Sequence, residues 1–128
     1  MNILLVDDSD FSLSLTKELI LGTKIKEDIN FILAKDGEEA VRIFEESKPG
    51  EISVIFMDVV MPEKSGLTAL KEIRSMEHED AAIVPIVIVS ALAESNCVDE
   101  TNKGLITDYI QKPLSVAKFQ DSFLKILE

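Results

Sequence analysis

A chain of 128 residues has the length of one domain and falls short of two. Acids outnumber bases 24 to 13, a net charge of −11, which excludes the basic patches used for non-specific grip on nucleic acid or an anionic membrane. Cys97 is the only cysteine and His78 the only histidine, which excludes an internal disulfide and a Cys/His zinc cluster.

In chain order, five short apolar runs alternate with segments that carry helix signals. The runs are Ile3–Val6, Ile29–Leu33, Ile52–Met57, Ile86–Val89 and Ile106–Ile110. Several are apolar throughout, as expected of strands buried on both faces of a parallel sheet. The first helix is expected from a cap at Ser9 or Asp10 to about Leu21, with Gly22 as its stop. Asp36 followed by Glu39 reads as the cap of a second, ended by Pro49-Gly50. A third follows Gly66 through Leu67, Leu70, Ile73 and Arg74. A fourth, weak in apolar anchors, is expected around Ser95–Lys103. Ser115 caps a fifth with Val116, Phe119, Phe123, Ile126 and Leu127 as its apolar stripe. The pattern is (βα)5 without repeats or linkers, and right-handed crossovers make it a doubly wound parallel sheet, a single domain over residues 1–128.

No apolar run reaches the roughly 20 residues of a membrane helix, and Pro85 interrupts the longest. The chain enters an apolar run directly after Met1-Asn2, so no leader and no membrane insertion are expected, and the cytoplasm is the expected location.

Ligands of such sheets bind beyond the carboxyl ends of the strands. Asp7 and Asp8 follow the first expected strand, Asp58 the third, Ser90 the fourth and Lys112-Pro113 the fifth. Each has an ordinary reading alone: a helix cap for Asp7 or Asp8, a loop acid for Asp58, a backbone-satisfying hydroxyl for Ser90, a surface charge for Lys112. Together they place three carboxylates, a hydroxyl and a lysine at one sheet edge. Clustered carboxylates repel unless a cation joins them, and an all-oxygen set suits Mg²⁺. A lysine in the same pocket adds an anion to the expected ligands. Aspartate is itself able to accept a phosphoryl group as an acyl phosphate.

The acidic pair Asp7-Asp8, the run Phe56-Met57-Asp58-Val59-Val60-Met61-Pro62 with Gly66 downstream, Val89-Ser90-Ala91 and Asp108-Tyr109-Ile110-Gln111-Lys112-Pro113-Leu114 resemble the receiver domain of two-component response regulators, across the whole chain. The resemblance implies a flavodoxin-like sheet of strand order 2-1-3-4-5. It implies that Asp58 is the phosphoacceptor, supplied by a histidine kinase or a histidine phosphotransfer protein. Mg²⁺ would be bound by Asp8, Asp58 and the backbone carbonyl of Val60, with Asp7 acting through water. Lys112, preceding an expected cis proline, would contact the phosphoryl group. Ser90 would move toward it, and Tyr109 would change rotamer, altering the face of fourth helix, fifth strand and fifth helix that binds a downstream protein.

Val60 and Leu92 occupy positions that tune hydrolysis in similar proteins. Both are apolar here, so slow self-dephosphorylation is expected. Four residues separate Gly104 from Tyr109, with Leu105 at the usual turn position, a departure from the family pattern. The fourth helix is therefore expected to be short or mobile, with Cys97 as a small packing residue. Glu77-His78-Glu79-Asp80 reads as a solvated loop rather than a metal site. With the chain ending after the fifth helix, no output domain is expected. The alternatives are a receiver excised from a larger regulator or hybrid kinase, a phosphorylation-independent pseudo-receiver, and an aspartyl-phosphate phosphohydrolase. The last usually has an acid two residues past its nucleophile, where this chain has Val60.

Overall fold

Side-chain alternation in the strands decides the layers of this protein. The computed structural model describes residues 1–25, 28–61 and 64–127. Pro62, quoted above in the motif after Asp58, lies outside the described residues. The strands are β1 (Asn2–Val6), β2 (Asn30–Ala34), β3 (Val54–Asp58), β4 (Ile86–Ser90) and β5 (Asp108–Gln111). The helices are α1 (Asp10–Gly22), α2 (Gly37–Glu46), α3 (Gly66–Ser75), α4 (Glu94–Cys97) and α5 (Val116–Ile126). All strand pairs are parallel, in the order β2-β1-β3-β4-β5. The flavodoxin-like expectation is borne out.

Successive residues of a strand point to opposite faces, so each central strand feeds two cores. Leu4, Val6, Ile55, Met57, Ile86 and Ile88 pack with Phe44, Leu70 and Ile73 beneath α2 and α3. Ile3, Leu5, Val54, Phe56, Val87 and Val89 pack with Leu13 and Ile20 of α1 and Phe119 and Phe123 of α5. The uniformly apolar runs are thus the buried central strands. β2 and β5 are sheet edges and partly exposed, with Leu33 reaching solvent. Strand limits shift by one or two residues: Ile52 and Ile106 precede their strands, and β2 begins at Asn30. No described helix is long and apolar enough to cross a membrane.

Side chains end the helices where the sequence suggested breakers. Ser9, Asp36, Ser65 and Ser115 each accept a backbone N–H from the first turn of α1, α2, α3 and α5. Gly22 is not the stop of α1. It is the last helical residue, and Thr23 closes the helix by donating its hydroxyl and its N–H to Ile20 O, the hydroxyl at 2.6 Å. Ser47 does the same for α2 at Phe44 O, before Pro49-Gly50 is reached. Leu127, assigned above to the apolar stripe of α5, lies past the helix and is 49% exposed.

The largest correction is α4, a single turn rather than Ser95–Lys103. Polar side chains compete with the helix for its backbone donors. Asn102 Oδ1 accepts the Asp99 N–H at 2.9 Å, and the buried Asn102 amide donates to Cys97 O at 2.8 Å. Asp99 takes both the N–H and the hydroxyl of Thr101. These bonds fold residues 98–105 into turns. His78 also departs from its expectation. Its ring packs on Phe44 with centroids 4.4 Å apart, Nδ1 accepts the Asp80 N–H, and Nε2 lies 2.9 Å from Ser47 O. The run is a tie between the end of α2 and the approach to β4, and its side chains do not come together as a group of metal-ligating residues among the described residues.

Arg74 anchors the same end of the sheet. Its guanidinium, half-buried, donates to Val84 O at 2.6 Å, Leu105 O at 2.9 Å and Ala81 O at 3.2 Å, joining α3 to the segments before β4 and β5. Burial without a carboxylate lowers its affinity for the proton relative to a free guanidinium. Removing the cation strands three carbonyls. Arg74→Met is expected to lose about 2 kcal/mol of stability in urea unfolding. A loss below about 0.5 kcal/mol, the range of an ordinary surface substitution, contradicts this role.

Candidate functional site

Parallel strands all deliver their carboxyl ends to one edge, and β1 and β3 are neighbours there. Val6 pairs with Met57, so the next residues, Asp7 and Asp58, emerge side by side. One carboxylate oxygen from each of Asp7, Asp8 and Asp58 lies within 4.8 Å of the others. This is the only such group among the described residues. Asp7 is buried, Asp58 half-buried and Asp8 exposed.

The ordinary reading of Asp7 as a helix cap is not met, because Ser9 caps α1. Asp7 Oδ1 accepts the Ser9 N–H at 3.0 Å, while Oδ2 faces the Lys112 ammonium at 3.6 Å. Asp58 Oδ1 accepts its neighbour's N–H, from Val59, at 2.8 Å. Burial pushes the Asp58 carboxyl above the ordinary aspartate range. Lys112 opposes that rise, and the charges of Asp7 and Asp8 add to it. The donor set is all oxygen, negative and partly desolvated, which fits a hard divalent cation such as Mg²⁺.

Ser90 ends β4, one residue beyond Val89, the partner of Asp58 across β3 and β4. Its Oγ is buried and accepts the Leu92 N–H at 3.1 Å, keeping its own proton for donation. Its carbonyl accepts the Lys112 N–H at 2.7 Å. The Lys112–Pro113 bond is cis, as expected. Val60 and Leu92 stand at the rim, 68% and 41% exposed.

Tyr109 lies on β5 and turns toward α4. Its hydroxyl donates to Leu92 O at 2.7 Å and lies 3.2 Å from Cys97 Sγ, which is buried. The backbone of Leu92 therefore joins the two residues expected to switch: its N–H reaches Ser90 and its carbonyl reaches Tyr109.

Several backbone contacts that shape this edge escaped the sequence reading. A Cβ on Gly66 would fall 1.9 Å from the carbonyl oxygen of Asp58, and the Gly66 N–H donates to Val59 O. A Cβ on Gly37 would fall 2.4 Å from Lys64 O. Both glycines are required by close approach of backbone. Lys64 pairs with Glu38 and Glu72, tying the loop after β3 to α2 and α3. The sequence signal was there for Gly66, which follows Asp58 at family spacing. Gly37 read only as part of a turn, because its neighbour across the fold is 27 residues away, a separation local patterns do not report.

Burial raises the pKa of the Tyr109 phenol to about 12, with the hydrogen bond to Cys97 adding to the rise. The chain has one tyrosine and no tryptophan, so tyrosinate absorbance reports this residue alone. The neutral phenol is held more tightly in the folded state, so this contribution to stability is complete below the ordinary tyrosine value near 10 and is lost as the pH rises through 12. An alkaline stopped-flow jump, read before unfolding, is expected to place the midpoint near 12. A midpoint near 10 in the folded protein contradicts this placement of the ring.

Comparison with known proteins agrees with this geometry. A family model described as the response regulator receiver domain matches residues 3–123. The chain is 31% identical over 124 residues to the chemotaxis protein CheY of Thermotoga maritima, covering 97% of this chain and 95% of that one. It is 31% identical over 116 residues to response regulator RR06 of Streptococcus pneumoniae, covering 91% of this chain and 48% of RR06. The chain thus spans less than half the length of several relatives it matches. Among solved structures, a chain of the CheX–CheY–BeF3–Mg²⁺ complex from Borrelia burgdorferi superposes with a TM-score of 0.83 at 29% identity, over all of this chain and 90% of that one. A match over residues 3–123, carried on the fold and the acidic edge described above, shows that the chain belongs to the response regulator receiver domain family, of the CheY-like kind.

Proposed function

We propose that residues 1–128 form one receiver domain that is switched by phosphorylation of Asp58. The observation that carries this reading is the meeting of Asp58 with two further carboxylates and the Lys112 ammonium at one sheet edge. A carboxylate oxygen of Asp58 forms a bond to phosphorus while the phosphorus–nitrogen bond of a donor phosphohistidine breaks. The imidazole nitrogen leaves with the electron pair, and an acyl phosphate remains on Asp58. A histidine kinase or a histidine phosphotransfer protein supplies that donor, in the cytoplasm.

Asp8 and Asp58, with the Val60 carbonyl, would hold Mg²⁺, and Asp7 would assist through water. When bound, the ion neutralises charge on the phosphoryl oxygens. The remaining work belongs to the chain. Asp7 holds the Lys112 ammonium beside the acceptor, where it offsets roughly 1.5 to 2 added negative charges. Ser90, whose Oγ accepts the Leu92 N–H, would donate its own proton to a phosphoryl oxygen. In doing so it releases or re-aims the Leu92 N–H, and Leu92 O is the acceptor of Tyr109. The local charge event thereby reaches α4, β5 and α5, the face on which a downstream protein binds. The relatives support these assignments, since the Borrelia burgdorferi complex joins a CheY to CheX with BeF3 and Mg²⁺ present.

Val60 and Leu92 carry no group able to orient an attacking water, so we assign the acyl phosphate a long lifetime. The same lack of an acid at Val60 disfavours the phosphohydrolase reading. Intact mass after acetyl phosphate and Mg²⁺ is the test. One phosphoryl group is expected on the wild type and none on Asp58→Asn, and the adduct is expected to decay faster when Val60 or Leu92 is replaced by Glu or Asn. An unlabelled wild type contradicts the function. Many turnovers of donor per chain favour the hydrolase, and unchanged decay in the polar variants removes the role of the two rim residues.

A further inference from the structure

The loop that presents Lys112 is held by a second lysine. Lys118, on the first full turn of α5, donates from its ammonium to Gln111 O at 2.8 Å and to Pro113 O at 2.7 Å. These carbonyls lie on either side of Lys112. The peptide plane between Gln111 and Lys112 is fixed at both ends, because the Lys112 N–H donates to Ser90 O at 2.7 Å while Lys118 holds the Gln111 carbonyl. The next carbonyl but one is fixed by the same ammonium. Holding both sides of a residue sets the direction of its Cα–Cβ bond, and from there its side chain runs to Asp7, 3.6 Å from Nζ.

The partner choice of Lys118 is unusual for this molecule. Acids outnumber bases by 24 to 13, and Lys125, two turns further along α5, pairs with Asp108 at 3.1 Å. Lys118 makes no ion pair with a carboxylate among the described residues. It is partly buried, and Ser115, the cap of α5, accepts its backbone N–H. An ammonium donates strongly to carbonyls, and from this position on the helix it reaches both. The flexible four-carbon stem of Lys112 has many rotamers, and a fixed root limits which of them bring the ammonium to the phosphoryl site.

We propose that Lys118 is a positioning residue for Asp58 phosphorylation, aiming the Lys112 ammonium at the phosphoryl group by clamping the Gln111 and Pro113 carbonyls. This rests on the receiver reading above. It predicts an effect on phosphoryl recognition without an effect on the carboxylates that would hold the metal.

Beryllofluoride, a phosphoryl mimic, supplies the probe on the full chain. Lys118→Met is expected to weaken beryllofluoride affinity in saturating Mg²⁺ about tenfold, as small misplacements of catalytic groups do. Mg²⁺ affinity measured without the mimic is expected to stay at the wild-type value, and Lys118→Arg, which keeps two donors, to restore most of the loss. In a Lys112→Met background, Lys118→Met is expected to add nothing, because its effect runs through Lys112. A wild-type affinity in Lys118→Met overturns the proposal, as does an equal loss in the Lys112→Met background or a parallel loss of Mg²⁺ binding. A wild type that binds no beryllofluoride in Mg²⁺ overturns the receiver reading itself, and this proposal with it.

Discussion

Everything at the functional edge follows from forcing three carboxylates to within 4.8 Å of one another. Like charges at that distance cost free energy, and the affinity of Asp58 for a proton is raised first by burial and then by the charges of Asp7 and Asp8, against the pull of Lys112. The repulsion is answered from two sides. Lys112 sits against Asp7 from β5, and an all-oxygen site invites a hard cation. A site in that condition gains most from a hard cation bound among the carboxylates.

The architecture makes such crowding possible without collapse. Two hydrophobic layers clamp the sheet from both faces, so β1 and β3 cannot slide to relieve the charge. Gly66 and Gly37 let helix starts press directly on the loop after β3, at distances that exclude any side chain. The opposite end of the sheet is tied by Arg74 and His78. The β4–α4 region is built differently, with a one-turn helix and a set of side-chain-capped turns in place of a longer helix. That is also where Leu92 connects Ser90 to Tyr109, so Asp58 stands on the packed central sheet while the link between the two proposed switch residues runs through the lightly built α4 region.

The sheet was legible because Ile3–Val6, Ile52–Met57 and Ile86–Val89 are apolar on both faces, a pattern that helical covering on two sides alone explains. The site was legible because its residues follow strands, and in a parallel sheet strand ends share one edge. What escaped was whatever depends on contacts distant in sequence. Arg74 looked like the end of an amphipathic helix, and nothing local shows that its partners are carbonyls near residues 81–84 and 105. His78 looked solvated because its neighbours are acids, yet its ring stacks on Phe44, 34 positions away. The fourth helix was overextended because Asn102 and Asp99 act through bonds that a periodicity reading does not weigh. Lys118 carried no signal in the sequence, since only the folded loop brings two carbonyls to it.

We propose that the negative charge of this edge serves to hold a divalent cation. Urea unfolding of the wild type and of Asp8→Asn, each with and without Mg²⁺, tests it most directly, since Asp8 is exposed and its replacement disturbs no packing. Without Mg²⁺, relief of repulsion is predicted to leave Asp8→Asn at least as stable as the wild type. With Mg²⁺, the wild type is predicted to gain stability that grows with the ion's concentration, and the variant to gain little. Equal gains in both proteins, or a variant markedly less stable in the absence of the ion, would contradict the account.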